Sequence, residues 1–286
     1  YLENEIVCVI DSKYHGTDIK DHHSTLKSVP VVKNLDLAID KGIEVLILGI
    51  APSGGKIPND WIPVIKNALS KKISIVNGLH DLLEQRFKKL IVNKDQWIWD
   101  VRIPKFEPLI ATGKAANLNN TRLLMVGTDM ACGKMTTALE IYSMARKKNI
   151  NCGFLATGQI GITITGDGIP LDAFKVDHAC GAVEKKILEN SDKDLIIIEG
   201  QGSLLHPGST ATLPLMRGSC PTHILLCHRA EKENLRYPDN IKIPDLKKFI
   251  ELNENIASVF GTFSDAKCIG ISLNTSKLND KEARDS

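Results

Sequence analysis

The sequence contains no long apolar segment. Its longest apolar runs, such as Val45–Ala51 and Leu195–Ile198, have the length of a β-strand, whereas a membrane-spanning helix needs roughly 20 apolar residues. No secretory signal peptide is recognisable at the start of the sequence either. We therefore expect a cytoplasmic protein that has no membrane partner.

Strong charge of one sign and aromatic residues are also scarce. The formal net charge is +2, and aromatic residues make up 5% of the 286 residues. No dense basic run interleaved with aromatic residues occurs, which is the pattern typical of proteins that bind nucleic acids. We therefore expect no nucleic-acid partner.

Paired cysteines are absent. Seven cysteines occur singly, and no C-x-x-C pair is present. A scattered, odd-numbered set in a chain of this length is typical of reduced thiols, so we expect neither a disulfide framework nor a zinc site. No metal site is predicted. The cysteines are Cys8, Cys132, Cys152, Cys180, Cys220, Cys227 and Cys268.

What the sequence does have is the rhythm of a parallel α/β fold. Short apolar runs alternate with amphipathic stretches, and 286 residues are enough for two domains. We predict two Rossmann-like three-layer domains with mostly parallel sheets, over residues 1–108 and 109–286, the second of the P-loop NTPase type. The stretch Trp97–Pro108, with two tryptophans and two prolines, is predicted to be an irregular crossing between them.

The first domain is predicted to contain three strands and two helices. The strands are Ile6–Ile10, Glu44–Ile50 and Ile73–Asn77. The second of these is continuously apolar, which predicts a strand that is buried on both faces. One helix is predicted over Asn59–Lys71 and another from Gly78 onward.

A glycine-rich segment in the second domain carries the strongest functional signal. It spans Gly127–Thr137 between a predicted strand and a predicted helix, which is the context of a phosphate-binding P-loop. Glycines let successive N–H groups point inward, the helix N-terminus adds partial positive charge, and Lys134 adds a full one. We predict that the ligand is bound by Gly127, Thr128, Asp129, Cys132, Gly133, Lys134, Met135, Thr136 and Thr137.

Two details narrow the class of ligand. Five residues, rather than four, separate Gly127 from Gly133, a variant that resembles the dethiobiotin-synthetase-like branch of P-loop proteins. Met135 also stands where a Ser or Thr hydroxyl normally binds Mg²⁺. The sequence therefore favours pyrophosphate binding over a hydrolytic Mg-ATP site, with Thr136 or Thr137 left to hold a phosphate oxygen.

A carboxylate follows another buried strand. Glu199 comes directly after Leu195–Ile198, and ligands of parallel sheets bind outside the carboxyl ends of the strands. The turn resembles the E-G-x-G turn of dethiobiotin-synthetase-like proteins, in which the acid faces the metal and phosphates. Glu199 is therefore a candidate metal ligand or general base, and the competing interpretation is a glutamate that caps the next segment. Ser203 and His206 in the same turn are further catalytic candidates.

Neutral polar residues follow other strands of the second domain. Thr157 and Gln159 come after the predicted strand Cys152–Ala156, and their hydroxyl and amide groups suit the orientation of a substrate. Gln201, in the glutamate turn, is assigned to the same role. Asn274 ends the last predicted strand, at a position where dethiobiotin-synthetase-like proteins often read adenine with an asparagine.

The first domain offers a second candidate anion site. Ser53, Gly54 and Gly55 follow a predicted strand and resemble an anion nest. His80 stands at a predicted helix start. The competing interpretations are an ordinary Gly-Gly turn and a structural histidine.

Seven motifs occur along the chain, and their combination is more specific than any one of them. They are G-I-A-P-S-G-G-K at Gly49–Lys56, N-G-L-H at Asn77–His80, W-D-V-R at Trp99–Arg102, G-T-D-x-x-x-G-K-M-T-T at Gly127–Thr137, A-T-G-Q at Ala156–Gln159, G-A-V-E at Gly181–Glu184 and E-G-Q-G-S-L-L-H-P at Glu199–Pro207. This series resembles the D-glutamate N-acetyltransferase family over nearly the whole chain. Family members carry a leader segment, whereas this sequence begins at its first predicted strand.

The resemblance implies a Rossmann-like domain followed by a P-loop domain. It also implies transfer of an acetyl group from acetyl-CoA to the amino group of a D-amino acid, with D-glutamate as the type substrate. Under this reading the P-loop would hold phosphate groups of coenzyme A. We further expect small-molecule partners and a homo-oligomer.

Direct attack of an amine on a thioester needs a base, donors for the developing oxyanion and cations for the substrate carboxylates. An arginine fork matches the geometry of a carboxylate. The candidates for these roles are Glu199 or His206, with His80 behind them, as the base, the backbone N–H groups of Gly200–Ser203 as oxyanion donors, and Arg217 or Arg102 as carboxylate ligands.

Two other functions fit the same motifs. One is a Mg-ATP-dependent ligase or kinase of the dethiobiotin-synthetase kind, with Glu199 on the metal. The other is a regulatory protein that binds a nucleotide without turnover. Metal-dependent ATP hydrolysis would favour the first, and ligand-induced stabilisation without either activity would favour the second.

Overall fold

The structure, a computed structural model, describes residues 1–23, 26–50, 52, 55–107, 109–209 and 211–286. The chain folds into two compact units, one over residues 2–103 and the other over residues 104–286 together with Tyr1. All strand pairs within the sheets are parallel. The predicted α/β fold with mostly parallel sheets is therefore confirmed.

The unit over residues 2–103 contains two small parallel sheets. One pairs β1 with β2, and the other has the strand order β3-β4-β5. The helices α2, α3 and α4 pack on the second sheet around a core that includes Leu46, Ile65, Ile75 and Leu83. The elements are β1 (Val9–Ile10), α1 (Ile19–His22), β2 (Val31–Val32), α2 (Leu35–Ile39), β3 (Val45–Leu48), α3 (Trp61–Ser70), β4 (Ser74–Asn77), α4 (Leu83–Phe87) and β5 (Ile98–Asp100).

Three sequence predictions for this unit are corrected. Strand β3 is not buried on both faces, because it lies at the edge of its sheet and leaves Val45 and Ile47 39% and 42% exposed. The stretch Trp97–Pro108 is not wholly irregular, since it contains β5, which pairs with β4. The helix expected from Gly78 begins later, at Leu83.

Buried polar contacts join the carboxyl ends of β4 and β5. The Asn77 side chain donates to Asp100 Oδ1 at 2.7 Å. The Asp100 carboxylate also accepts from the backbone N–H groups of Leu83 (3.0 Å) and Glu84 (2.9 Å), where α4 begins. Both Asn77 and Asp100 are buried. The N-G-L-H and W-D-V-R motifs therefore build the turn that leads into α4.

The unit over residues 104–286 is a three-layer sandwich around a five-stranded sheet with the order β10-β9-β6-β8-β7. Helix α5 covers one face, against Leu123 and Met125. Helices α7, α8 and α9 cover the other, against Leu124 and Val126. The elements are β6 (Thr121–Gly127), α5 (Lys134–Lys147), β7 (Cys152–Leu155), α6 (Gln159–Thr165), α7 (Val176–Glu189), β8 (Leu195–Ile198), α8 (Thr212–Ser219), β9 (His223–Arg229), α9 (Leu246–Ser258), β10 (Lys267–Asn274) and α10 (Asp280–Asp285).

The G-A-V-E motif lies in α7 and holds the first residues of this unit. Gly181 leaves room for the backbone carbonyl of Leu109, which a Cβ atom at this position would overlap. Three residues on, Glu184 Oε2 accepts from the backbone N–H (2.7 Å) and the hydroxyl (3.1 Å) of Thr112. Within this motif, Gly181 and Glu184 therefore both hold the segment at residues 109–112 against α7.

All seven cysteines are free thiols. Among the residues that the structure describes, no helix is both long and apolar enough to cross a membrane.

We predict that Asp100→Ala destabilises the unit over residues 2–103. The change leaves the Asn77 amide and two backbone N–H groups without their buried acceptor, which costs about 3 kcal/mol. Thermal unfolding followed by circular dichroism, together with amide hydrogen exchange over residues 78–87, measures the effect. Asp95→Ala, at an exposed position of the same unit, is the matched control. Equal melting and exchange in both variants would contradict this account.

Candidate active site

The carboxyl ends of the five parallel strands bring the functional candidates of the second unit to one edge of the sheet. The P-loop follows β6, Glu199 follows β8, and Thr157 comes two residues after β7. Arg229 ends β9 and Asn274 ends β10. Ligands of open parallel sheets bind at this edge, so these residues form the candidate active site.

The P-loop wraps around the N-terminus of α5. Its backbone is left-handed at Ala131 (φ 48°) and at Gly133 (φ 117°), the residue before the helix begins at Lys134. These reversals curl the loop, as required for a cradle of backbone N–H groups at a helix N-terminus.

The Lys134 ammonium lies inside this loop. The side chain is buried, and its Nζ donates to the carbonyl oxygen of Asp129 at 2.7 Å and lies 3.7 Å from Cys132 Sγ. Its aliphatic stem passes over Gly200. A side chain at position 200 would not fit, because its Cβ atom would overlap the Met125 carbonyl and lie 2.9 Å from Lys134 Cδ. A buried cation whose close oxygen partner is one backbone carbonyl is suited to receive an anion.

The Glu199 carboxylate is buried beside the loop. One oxygen, Oε2, accepts from the backbone N–H groups of Thr157 (2.8 Å) and Gly158 (3.2 Å). Burial raises the pKa of the Glu199 carboxyl to about 7, although these two hydrogen bonds and the charge of Lys134 act in the opposite direction. Glu199 therefore changes its charge near neutral pH, which is the property of a general acid or base.

The Asp129 carboxylate has several partners around the loop. It is buried and lies 3.2 Å from the Arg229 guanidinium. Its oxygens accept from the backbone N–H groups of Met130 (2.6 Å) and Arg236 (2.8 Å). Arg229 also donates to the carbonyl of Ala131 at 2.6 Å. Because Arg229 balances its charge, Asp129 can remain beside a phosphate site.

Both ring nitrogens of His206 are engaged. Nδ1 accepts from the backbone N–H of Gly208 at 3.0 Å, so Nε2 carries the proton and donates to the carbonyl of Tyr237 at 2.6 Å. Nε2 also lies 4.0 Å from Asp129 Oδ1. The ring is thus fixed in one tautomer between two backbone groups, which leaves it without a free lone pair for a general base.

Of the three threonines in the P-loop segment, two pair their hydroxyl groups with side chains of the sheet and one is exposed. Thr137 Oγ1 pairs with Ser272 Oγ of β10 at 2.8 Å, while Thr136 is exposed and Met135 half-buried. Thr128 Oγ1 pairs with His228 Nδ1 at 2.9 Å, and burial lowers the pKa of that imidazole. Thr136 is therefore the threonine left for a ligand oxygen.

Cys132 and Cys227 lie under the loop. Cys132 Sγ donates to the carbonyl of Cys227 at 3.3 Å, and both side chains are buried. Burial raises the pKa of the Cys227 thiol to about 12. That thiol stays protonated and does not serve as a nucleophile.

The hydroxyl groups of two further candidates, Thr157 and Ser203, have partners within the protein. Thr157 Oγ1 donates to the carbonyl of Glu199 at 2.9 Å, and Ser203 Oγ accepts from the N–H of Leu205 at 3.1 Å. The backbone carbonyl of Gln201 accepts from Thr212 Oγ1 at 2.8 Å, while its side-chain Nε2 lies close to Gly158, so the assignment of this side chain to the substrate stays a prediction. These contacts shape the turns around Glu199.

Asn274 and Gln159 both lie at the site edge. Asn274 is next to the P-loop. If Gly133 carried a Cβ atom, that atom would lie 4.0 Å from Cβ and Nδ2 of Asn274. Gln159 is the half-buried first residue of α6, just after the turn that binds Glu199. Their assignments to adenine and substrate stay predictions.

The structure does not bring Arg217 to this edge. Arg217 lies in the last turn of α8, shortly before β9 begins, and therefore near the amino ends of the strands. Its guanidinium donates to the carbonyl of Ile256 at 2.7 Å and lies 5.9 Å from the Phe263 ring. The expectation that Arg217 binds a substrate carboxylate is therefore replaced by a packing role against α9.

The candidates of the first unit form a local arrangement of their own. The N–H of His80 donates to the carbonyl of Gly55 at 2.8 Å, and the exposed His80 ring lies against Gly55, whose φ is 65°. Arg102 Nε donates to the carbonyl of Gly78 at 2.7 Å. Ser53 and Gly54 lie outside the described residues.

Sequence reasoning missed Arg229, His228, Arg236 and Tyr237. Arg229 and His228 end the strand β9, and the same rule that selected Glu199, a polar residue at the end of a buried strand, would have found them. Arg236 and Tyr237 lie in the loop after β9 and carry no motif.

Two family models match the chain. One describes the DUF1611 N-terminal Rossmann-like domain and covers residues 12–104, and the other describes the DUF1611 P-loop domain and covers residues 109–286. The chain belongs to the DUF1611 family. The resemblance drawn from the seven motifs is thereby confirmed, because two relatives of this chain carry the name D-glutamate N-acetyltransferase.

These relatives are similar over most of their length. The protein from Tritonibacter scottomollicae is 36% identical over 87% of this chain and 74% of its own. The one from Pseudoalteromonas sp is 37% identical over 83% of this chain and 71% of its own. A crystal structure of a DUF1611 family protein from Anabaena variabilis superimposes with a TM-score of 0.95 at 43% identity, and covers 100% of this chain and 84% of that one.

We predict that Lys134→Ala weakens binding of inorganic pyrophosphate at least about tenfold. The buried ammonium is the full positive charge at the centre of the loop, and a charge-assisted hydrogen bond to an oxyanion contributes more than the equivalent of a tenfold change. Isothermal titration calorimetry measures the affinity. Lys147→Ala, at the exposed end of the same helix, is the matched control. Equal affinities in the two variants would contradict the phosphate assignment.

Proposed function

We propose that this DUF1611 protein is an N-acetyltransferase that moves an acetyl group from acetyl-CoA to the amino group of D-glutamate. The names of its two relatives support this reaction. The observation that carries it is the Glu199 carboxyl, which has a pKa of about 7 and lies at the same edge of the sheet as the P-loop.

Coenzyme A supplies the anion that the P-loop needs. Its pyrophosphate is a double oxyanion of the kind that a helix N-terminus and a buried lysine bind. On binding, Lys134 would exchange its contact to the Asp129 carbonyl for a phosphate oxygen. Since CoA needs no metal for this, the methionine at position 135 is compatible with it.

The chemical step requires removal of one proton. The free amine of D-glutamate attacks the thioester carbonyl, the C–N bond forms and the C–S bond breaks, and CoA leaves as its thiol after taking up a proton. A base must accept the proton that the attacking nitrogen loses. Glu199 is the better candidate for this base, because both ring nitrogens of His206 are bound to backbone groups.

The turn after Glu199 offers donors for the oxyanion of the tetrahedral intermediate. The backbone N–H groups of residues 200–203 follow directly from the carboxyl end of β8. Such preorganised donors stabilise developing negative charge more effectively than water does. We keep this assignment as part of the proposal.

The Mg-ATP-dependent reaction has less support. The residue after the P-loop lysine lacks a hydroxyl, and Thr137 is paired with Ser272. Thr137 would have to release Ser272 before its hydroxyl bound a metal.

We expect free thiol to be released from acetyl-CoA in the presence of D-glutamate, and to a much smaller extent with L-glutamate or without an amino acid. A thiol reagent follows the reaction by absorbance. Lys134→Ala should lose the activity, while Lys147→Ala should keep it. Absence of thiol release in wild type with every amino acid would overturn the proposal. Mg-dependent ATP hydrolysis would then indicate a ligase or kinase, and ligand-induced stabilisation alone a regulator.

We expect kcat to rise with pH through about pH 7, because Glu199 accepts a proton only in its ionised form. Glu199→Gln should lower kcat about a hundredfold or more and abolish this limb, the rise of kcat with pH. Glu251→Gln, an exposed position on α9, is the control. An unchanged limb in Glu199→Gln would show that another group is the base.

The stability of Glu199→Gln gives an independent check. Because the pKa of Glu199 is raised in the folded state, its neutral form contributes stability at low pH that is lost as the pH rises from about 4.5 to about 7. The wild type should therefore lose stability relative to Glu199→Gln over this range, and the Tm difference measures it.

A further inference from the structure

The segment between β9 and α9, residues 230–245, forms a compact loop beside the P-loop. The N–H of Leu235 donates to the carbonyl of Ile241 at 2.9 Å, and the N–H of Ile243 donates to the carbonyl of Glu233 at 2.7 Å. The side chains of Leu235 and Ile243 are buried. The loop is therefore closed by its own backbone pairs and anchored by two apolar side chains.

Two buried side chains tie consecutive residues of this loop to the candidate active site. Asp129 Oδ2 of the P-loop accepts from the N–H of Arg236 at 2.8 Å. His206 Nε2 donates to the carbonyl of the next residue, Tyr237, at 2.6 Å. The His206 ring is itself held by Gly208. The backbone at Arg236 and Tyr237 is thus fixed from both sides.

The side chains at these two positions are left for solvent. Tyr237 is 81% exposed, and Arg236 is exposed as well. Arg236 has no carboxylate partner among the residues that the structure describes, in contrast to Arg229, which is paired with Asp129. A rigid backbone at the P-loop therefore presents a free cation and an aromatic face.

We propose that Arg236 and Tyr237 form a second binding subsite beside the P-loop. This inference rests on the proposed use of acetyl-CoA. Arg236 binds an oxyanion other than the pyrophosphate, and Tyr237 packs its ring on the adenine base. An arginine fork suits phosphate and carboxylate groups equally, so the oxyanion is either the 3′-phosphate of CoA or a carboxylate of the acceptor amino acid.

The P-loop supplies the reason for a second cationic subsite. Lys134 and the N-terminus of α5 balance one anionic group, and Arg229 is occupied by Asp129. Coenzyme A carries a third phosphate, and a D-amino acid with two carboxylates brings further negative charge. Among the described residues around the loop, Arg236 is the arginine that remains for this charge.

The test compares Arg236→Ala with Lys242→Ala, an exposed cation in the same loop. Calorimetry gives Kd for CoA and for dephospho-CoA, and kinetics give KM for D-glutamate. If Arg236 binds the 3′-phosphate, Arg236→Ala weakens the binding of CoA about tenfold and leaves the affinity for dephospho-CoA unchanged. If it binds a carboxylate, both Kd values stay the same and KM for D-glutamate rises about tenfold.

Tyr237 is tested by Tyr237→Ala and Tyr237→Phe, which both keep the backbone carbonyl that His206 binds. Tyr237→Ala, which lacks the ring, should weaken the binding of CoA and of dephospho-CoA equally, by about fivefold or more. Tyr237→Phe, which keeps the ring, should bind both with wild-type affinity. If Arg236→Ala matches Lys242→Ala in every constant and Tyr237→Ala binds like wild type, the subsite is overturned while the transferase proposal stands. If wild type fails to bind CoA, both proposals fall.

Discussion

The arrangement of the candidate active site depends on the buried carboxylate of Asp129. This one side chain joins three parts of the chain, because it accepts from Met130 within the P-loop, pairs with Arg229 at the end of β9, and accepts from Arg236 in the loop that follows. An unpaired carboxylate at this depth would be strongly destabilising. With its partners in place it sets the distance between the phosphate cradle and the β9–α9 loop.

Near Asp129, the two ionisable groups that would act on a ligand follow different strands of the sheet. Lys134 extends from the start of α5 into the loop, and Glu199 is held on the neighbouring turn by the backbone at Thr157 and Gly158. The two groups influence each other, since the charge of Lys134 lowers the pKa that burial raises at Glu199. One cation for an anionic ligand and one carboxyl that titrates near neutrality thus lie at the same edge, and this edge is available because all five strands run in parallel.

Much of the fold could be predicted from the sequence, because apolar runs of strand length and the glycine-lysine spacing at residues 127–134 are local patterns. The exposed edge of β3 could not, since an apolar run does not reveal how many neighbours a strand has. Arg217 was assigned a ligand from its residue type alone, and its contact with Ile256 depends on the packing of α8 on α9. Arg236 was missed because its partner Asp129 is 107 residues away in sequence.

The left-handed backbone at Ala131 has a consequence for how the site meets its ligand. An alanine in this conformation costs about 1 kcal/mol that a glycine would not, and the hydrogen bond from Arg229 to its carbonyl holds it there. An alanine also samples fewer conformations than a glycine when the loop opens. The cradle is therefore already shaped before an anion arrives, so that little conformational entropy is lost on association and a diffusing ligand meets a rigid receptor.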